Sequence, residues 1–175
     1  MPLALSQSQR GQPPDPPWGR HRDRLLAFMV GVGGVDREIA ADLAQDVLEK
    51  LLRSFPDGSA PLPWLYAVAR NRLTDWFRAD ARSRARRLPA DGEALAGPAA
   101  DPADVLDRRD VRRRVGRYLD ALPPREREVA FLRFFEGMRH REIAAVTGMP
   151  TGTVKYLVHQ VREGVRSALE VDTDG

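Results

Sequence analysis

The sequence predicts an all-α protein made of two small helical domains joined by a flexible linker, the second of which contains a helix-turn-helix. Apolar residues recur at helical spacing in both halves, and no segment of useful length shows the alternation typical of a strand. Residues 88–102 are rich in Pro, Ala, Gly and Asp and lack such a period. We therefore divide the chain into four segments: an arm at 1–19, a domain at 20–87, the linker at 88–102 and a domain at 103–175.

The composition excludes several classes of protein. The 175 residues contain no cysteine and three histidines, which rules out disulfide scaffolds and cysteine-ligated metals and makes a metal site or cofactor unexpected. No apolar run is long enough to span a bilayer, and the proline-rich start has no secretory pattern. We expect a soluble cytoplasmic protein with no membrane insertion.

Two helices open the first domain. The first uses Leu25, Leu26 and Met29 and ends at the glycines of 31–34. The second, from about Asp36 to Phe55, carries an apolar residue at every fourth position, with acids on its other faces. One face therefore belongs to the core and another is available to a partner.

A third helix begins near Pro63, a residue suited to the first turn. Its second part is basic, because 70–87 holds seven arginines and two aspartates, and it interleaves them with aromatic residues and Asn71. Cations that contact phosphates, rings that stack on bases and an amide are the groups that hold single-stranded DNA. The alternative is that the aromatic residues are core; we take Trp64 and Phe77 as core and leave Trp76 open.

The second domain is predicted to contain helices near 111–122, 125–136, 139–147 and 152–169, the last with Thr151 as N-cap. Between 141 and 160, a small residue at Ala144, a turn at Gly148 and apolar residues at Val154 and Leu157 have the offsets of a helix-turn-helix. Such a unit inserts its second helix into the major groove of DNA.

The outer face of that last helix is basic, and the start of a helix favours a phosphate. The alternative, a purely structural helical hairpin, is less consistent with the turn and the basic face. His159 is expected to face the groove or the solvent rather than a metal.

Two blocks of sequence resemble the extracytoplasmic-function (ECF) group of the sigma-70 family. Residues 42–47, 64–65 and 69–71 resemble sigma region 2, and residues 122–129, 134–137, 142–144 and 152–155 resemble region 4. The resemblance covers roughly 20–170. It implies a subunit that directs RNA polymerase to promoters, with core RNA polymerase and promoter DNA as partners, an anti-sigma factor as a further possible partner and no enzymatic activity.

The resemblance also implies three binding surfaces. The polymerase clamp would bind Asp42, Gln45, Asp46 and Glu49. The melted −10 element would bind Arg70, Asn71, Arg72, Asp75, Trp76, Arg78 and Arg82. The −35 element would bind Arg139, Arg141, Thr151, Gly152, Thr153, Lys155, Tyr156, His159 and Arg162.

The chain departs from the family after Lys155, where Tyr156 and Leu157 replace a small hydroxyl residue and an arginine, and at Gln160, where arginine is frequent. We therefore expect the affinity for the −35 element, or the sequence preferred there, to be unusual. The competing hypothesis is a stand-alone helix-turn-helix regulator, which would need neither the acidic helix nor the basic aromatic one. An enzyme is disfavoured, since no nucleophile–base pair, metal-ligand spacing or phosphate loop is present in the sequence.

Overall fold

The computed structural model describes residues 18–86 and 106–170, which form helices and no strands. The all-α class is thereby confirmed. The predicted linker at 88–102 lies outside the described residues, as does the predicted arm up to residue 17.

Three helices form the N-terminal half. They are α1 (Gly19–Gly31), α2 (Arg37–Ser54) and α3 (Leu62–Arg86). In α2 the buried residues include Leu43, Val47 and Leu51, which confirms the middle of the predicted stripe. The turn after α1 needs glycine, because a Cβ on Gly33 would collide with the Met29 carbonyl oxygen and with Leu73 of α3.

The C-terminal half contains α4 (Leu106–Ala121), α5 (Pro124–Ala130), α6 (His140–Thr147) and α7 (Thr151–Glu170). The single helix predicted for 125–136 is interrupted, since α5 passes into a π-helical turn at Phe131–Phe135. This π turn buries Phe131 and Leu132 and leaves Phe134 and Phe135 exposed.

The helix-turn-helix consists of α6 and α7. Gly148 ends α6 in the left-handed conformation, with φ of 72°, where a residue without a side chain is least strained. Val154 of α7 is buried as the offsets predict, together with Val158 and Val161, whereas Leu157 is only partly buried. Helix α7 begins at Thr151, one residue earlier than predicted, so Thr151 is the first helical residue rather than the cap.

One apolar core spans both halves. It joins Leu25, Phe28 and Tyr66 of the N-terminal half to Leu132 and Ile143 of the C-terminal half. A smaller cluster, around Leu122, Ala130 and Val161, lies between α4, α5 and α7. Because a core of 50–70 residues is only marginally stabilising, we infer that each half is stabilised by the other.

Candidate nucleic-acid interface

The outer face of α7 is polar and exposed. Lys155, Tyr156, His159 and Arg162 are all exposed on it, while the opposite side of the helix is buried. Their spacing of one, three and three residues keeps them within roughly a third of the helix circumference. The helix therefore presents a basic and aromatic strip to solvent, of the width that a DNA groove can accept.

A groove opens beside the start of α7. It is lined by Arg139, His140, Arg141, Glu142, Thr151 and Lys155. Glu142 is committed to the helix itself, because its Oε2 accepts a 2.6 Å hydrogen bond from the backbone N–H of Arg139. The cations and the free N–H groups of the first turn make this groove suited to a phosphate. Gly152 and Thr153, both exposed, extend the same rim.

Tyr156 and Gln160 form a hydrogen-bonded pair on α7. The Gln160 Nε2 atom donates to the Tyr156 hydroxyl oxygen over 2.7 Å. The sequence marked both residues as departures from the family but did not indicate that they contact each other. The pair lies one turn apart on the exposed side, so both residues belong to the surface that the strip presents.

The predicted −10 residues of α3 lie on more than one face of the helix. Asn71, Asp75, Arg78 and Arg82 recur at spacings of four, three and four and share one exposed side. The Arg82 Nε atom donates to the Arg78 carbonyl oxygen at 3.2 Å, which ties the last two together. These four residues form the α3 outer face.

The other three predicted −10 residues contact the protein. Arg70 pairs with Glu128 of α5 at 3.0 Å, and Arg72 pairs with Asp46 of α2 at 2.6 Å. Trp76 is half-buried against the core.

The neighbour of Trp76, Phe77, corrects the sequence prediction. Phe77 was expected in the core, but it is 46% exposed and meets Trp76 edge-on, with ring centroids 5.0 Å apart. The buried side of α3 ends at Leu73, so the later turns of the helix project beyond the core. The exposed Phe77 ring continues the buried side of α3 rather than its outer face, and it is available for stacking on a base.

The loop before α3 is ordered by short contacts. Asp57 accepts hydrogen bonds from the Ser59 hydroxyl and backbone N–H, at 2.7 and 3.1 Å, and these bonds lower the pKa of the Asp57 carboxyl. One imidazole nitrogen of His21 lies 3.3 Å from the Gly58 carbonyl oxygen. Helix α1 thus contacts the loop between α2 and α3.

The four predicted polymerase-binding residues lie together on the acidic face of α2. Asp42, Gln45, Asp46 and Glu49 are exposed at spacings of three, one and three residues, which places them on one side of the helix. A groove beside them is lined by Leu48, Leu52, Trp18 and Arg22 among others. The apolar edge with carboxylates around it matches the apolar contact and polar rim of protein interfaces.

The described residues hold no cluster of side chains that could ligate a metal ion, and no helix among them is long and apolar enough to cross a membrane. The features that the described residues do present are the exposed surfaces of α2, α3 and α7.

Comparison with known proteins identifies the family. The Sigma-70 region 2 family model matches residues 18–83, and the Sigma-70, region 4 model matches residues 112–163. The ECF RNA polymerase sigma factor RpoE of Cereibacter sphaeroides is 30% identical over 149 residues, which cover 82% of this chain and 78% of the relative. The chain belongs to the ECF sigma factor family.

Further relatives agree. The ECF RNA polymerase sigma factor EcfG of Rhodopseudomonas palustris is 32% identical, over 85% of this chain and 80% of its own length. The solved structure of the Bartonella quintana sigma factor RpoE in complex with the anti-sigma factor NepR has a TM-score of 0.66 and 28% identity. It covers 89% of this chain and 95% of that one. The family predicted from the residues is confirmed, and with it a function in directing transcription initiation at promoters; a stand-alone regulator is not favoured.

Proposed function

We propose that this sigma factor uses three separate surfaces: α2 for core RNA polymerase, the outer side of α3 for the melted −10 strand, and α7 for the −35 duplex. The observation that carries the proposal is the exposure of α7's basic strip together with a distinct acidic face on α2. A protein that only bound duplex DNA would have no need of that acidic face.

The polymerase surface consists of Asp42, Gln45, Asp46 and Glu49 with the apolar edge of Leu48 and Leu52. Carboxylates around an apolar contact would steer and orient a basic partner surface. The family resemblance suggests that this partner is the clamp of the largest polymerase subunit. We assign these surfaces to two proposed domains, at 20–87 and 103–175, which a linker at 88–102 joins.

The −10 surface combines the α3 outer face with Phe77 and Trp76. Asn71 would contact a base edge, Arg78 and Arg82 the phosphates, and Asp75 would orient Arg78, from which it lies 3.9 Å. Arg70 and Arg72 would also contact the melted strand once their ion pairs with Glu128 and Asp46 are broken. Exposed bases stacked on aromatic side chains contribute about 1–3 kcal/mol each.

The −35 surface uses α7 and the groove at its start. Arg139, Arg141, Thr151, Gly152 and Thr153 would hold phosphates at the rim. Lys155 and Arg162 would contact phosphates farther along α7. Tyr156 and His159 would approach base edges. This division follows the general rule that phosphate contacts position a protein and base contacts specify the sequence.

The remaining parts of the proposal concern partners and setting. By likeness to the NepR-bound relative, an anti-sigma factor would hold the chain inactive. The protein would act in the cytoplasm, where core polymerase is, and would have no catalytic residues of its own.

A run-off transcription assay with core polymerase and genomic promoter fragments tests this function. We expect promoter-specific transcripts only when both proteins are present. Reversing Asp42, Asp46 and Glu49 to lysine should abolish polymerase binding while the circular dichroism stays helical. Reversing Asp23, Asp36 and Glu38, three exposed acids away from the groove, makes the same change in net charge and should leave binding intact. Equal binding by both triple variants would show that the docking assignment is wrong.

A further inference from the structure

Helix α7 carries a neutral hydrogen-bonded pair in the middle of its outer face. The Tyr156 side chain is 58% exposed, and Gln160 is exposed one turn farther along. With about 100° of rotation per residue, both lie on the side of the helix opposite the buried Val154 and Val158. When α7 enters the major groove at the −35 element, this side faces the bases.

Helix stability does not account for the pair. Exposed side chains one turn apart stabilise a helix only slightly, because water competes for the same hydrogen bonds. Gln160 also stands where arginine is frequent in the family, and a neutral amide lacks the attraction to phosphates that arginine would supply. What the pair can supply instead is hydrogen bonding to base edges.

Gln160 is placed to hold the Tyr156 hydroxyl. Its Nε2 atom donates a 2.7 Å hydrogen bond to the hydroxyl oxygen. On the other side, Gly152 precedes Tyr156 by four residues and has no side chain that could hold the ring. Apart from the neighbouring helix backbone, a Cβ on Gly152 would meet no atom of the described chain within 4 Å. The hydrogen bond from Gln160 therefore fixes a group that would otherwise turn freely.

The direction of this hydrogen bond decides what the pair offers to a base. Because the phenol oxygen accepts from Gln160 Nε2, its own hydrogen points away from the amide nitrogen and can be donated. The Gln160 Oε1 atom carries no hydrogen and can only accept. In the major groove, adenine is the one base that presents an acceptor, N7, beside a donor, the N6 amino group, whereas guanine presents two acceptors.

We propose that Tyr156 and Gln160 act as one specificity element that selects an adenine in the −35 duplex, an inference that rests on the proposed role of α7. The Tyr156 hydroxyl donates to N7, and Gln160 Oε1 accepts from the N6 amino group. Gln160 is at the same time the positioning residue for the hydroxyl. The pair thus adds Gln160 to the residues that read DNA and names the base that they read.

Holoenzyme binding to promoters with modified bases tests the pair. Replacing each −35 adenine in turn by 7-deazaadenine removes its N7 acceptor. The wild-type holoenzyme should lose about three- to tenfold in affinity at the adenine that the pair contacts. Tyr156→Phe keeps the ring and removes the hydroxyl, so it should bind the modified and unmodified promoters equally at that position.

Two substitutions at Gln160 distinguish positioning from support of the helix. Gln160→Glu keeps a hydrogen bond but reverses it, because a carboxylate only accepts; the phenol hydrogen is then turned away from DNA, and the sensitivity to 7-deazaadenine should disappear. Gln160→Met removes the hydrogen bond and should lower the sensitivity as well. The matched control is Glu163→Gln, which alters a second exposed pair on α7, 2.7 Å from Arg166, and should keep the wild-type sensitivity.

Two results would overturn the pair. One is a wild-type holoenzyme that is insensitive to 7-deazaadenine at every −35 position; the other is a Gln160→Glu variant that keeps the full sensitivity. If Lys155→Ala and His159→Ala also leave binding to the −35 element unchanged, the proposed function of α7 is wrong. If those two variants weaken binding while Tyr156→Phe behaves as the wild type does, only the pair is wrong.

Discussion

The two helices that we propose to contact DNA differ in how available their side chains are in the free chain. Helix α7 exposes Lys155, Tyr156, His159 and Arg162 on one strip, with no element of the described chain packed over them. Helix α3 instead has Arg70 paired with α5, Arg72 paired with α2 and Trp76 half-buried. Both helices are basic, yet only α7 presents its full set of candidate side chains.

The difference teaches that charge patterning alone does not describe a binding surface. A duplex element is present before polymerase acts, so the helix that reads it can be exposed from the start. A single strand appears only once the promoter melts, so the α3 residues that would bind it can remain committed until then.

The largest effect should come from Phe131, which packs against the less available helix: its ring lies edge-on to Tyr66 of α3, with ring centroids 6.2 Å apart. Phe131→Ala removes the ring between the halves and should lower the free energy of unfolding by about 3–5 kcal/mol. Its control is Phe135→Ala: this ring stacks on Phe131 at 5.3 Å but is 66% exposed, so the loss should be small. Urea denaturation followed by circular dichroism measures both. A loss for Phe131→Ala as small as that for Phe135→Ala would mean that the interface does not stabilise the chain.

A second prediction sharpens the account of α7. Tyr156→Ala removes a group that we propose approaches base edges, and it should cost about 1–3 kcal/mol of discrimination at particular −35 positions. His159→Ala should act in the same way. Holoenzyme binding to a set of promoters with altered −35 sequences measures this discrimination. Uniform weakening across the set would show that both residues contact the DNA backbone rather than the bases.

Lys155→Ala should behave differently on the same helix. Loss of one phosphate contact should weaken holoenzyme binding on every promoter and reduce the slope of log affinity against log salt by about 0.9. Arg162→Ala is expected to match it. A salt titration of holoenzyme binding tests this, and an unchanged slope would remove Lys155 from the phosphate contacts.

The sequence predicted most of the fold because apolar spacing marks the buried side of a helix. It predicted α2 and the helix-turn-helix closely, and it indicated the acidic and basic surfaces. It could not predict that Glu128 would meet Arg70, because periodicity shows which face is buried and not which distant helix covers it. Phe77 was assigned to the core for a related reason: its spacing continues the stripe, but the last buried residue of α3 is Leu73.

The smallest predicted effect concerns pH. Because burial raises the pKa of the Glu128 carboxyl, against the opposing effects of Arg70 and Arg125, the folded chain binds a proton there more readily than the unfolded chain. This carboxyl should therefore add to the stability of the fold as pH falls from neutral toward 4.5, its ordinary value. Urea denaturation at a series of pH values measures this, and Glu128→Gln should remove the contribution. A wild-type stability that falls relative to that of Glu128→Gln as the pH is lowered toward 4.5 would contradict the assignment.

The most direct test of the division between α3 and α7 compares duplex and pre-melted promoters. Asn71→Ala and Trp76→Ala should leave closed-complex formation nearly intact and impair opening, seen as loss of permanganate reactivity on duplex DNA. A pre-melted template should rescue both variants, because their substrate is then supplied, but it should not rescue Lys155→Ala. Rescue of all three variants, or of none, would contradict separate roles for the two helices.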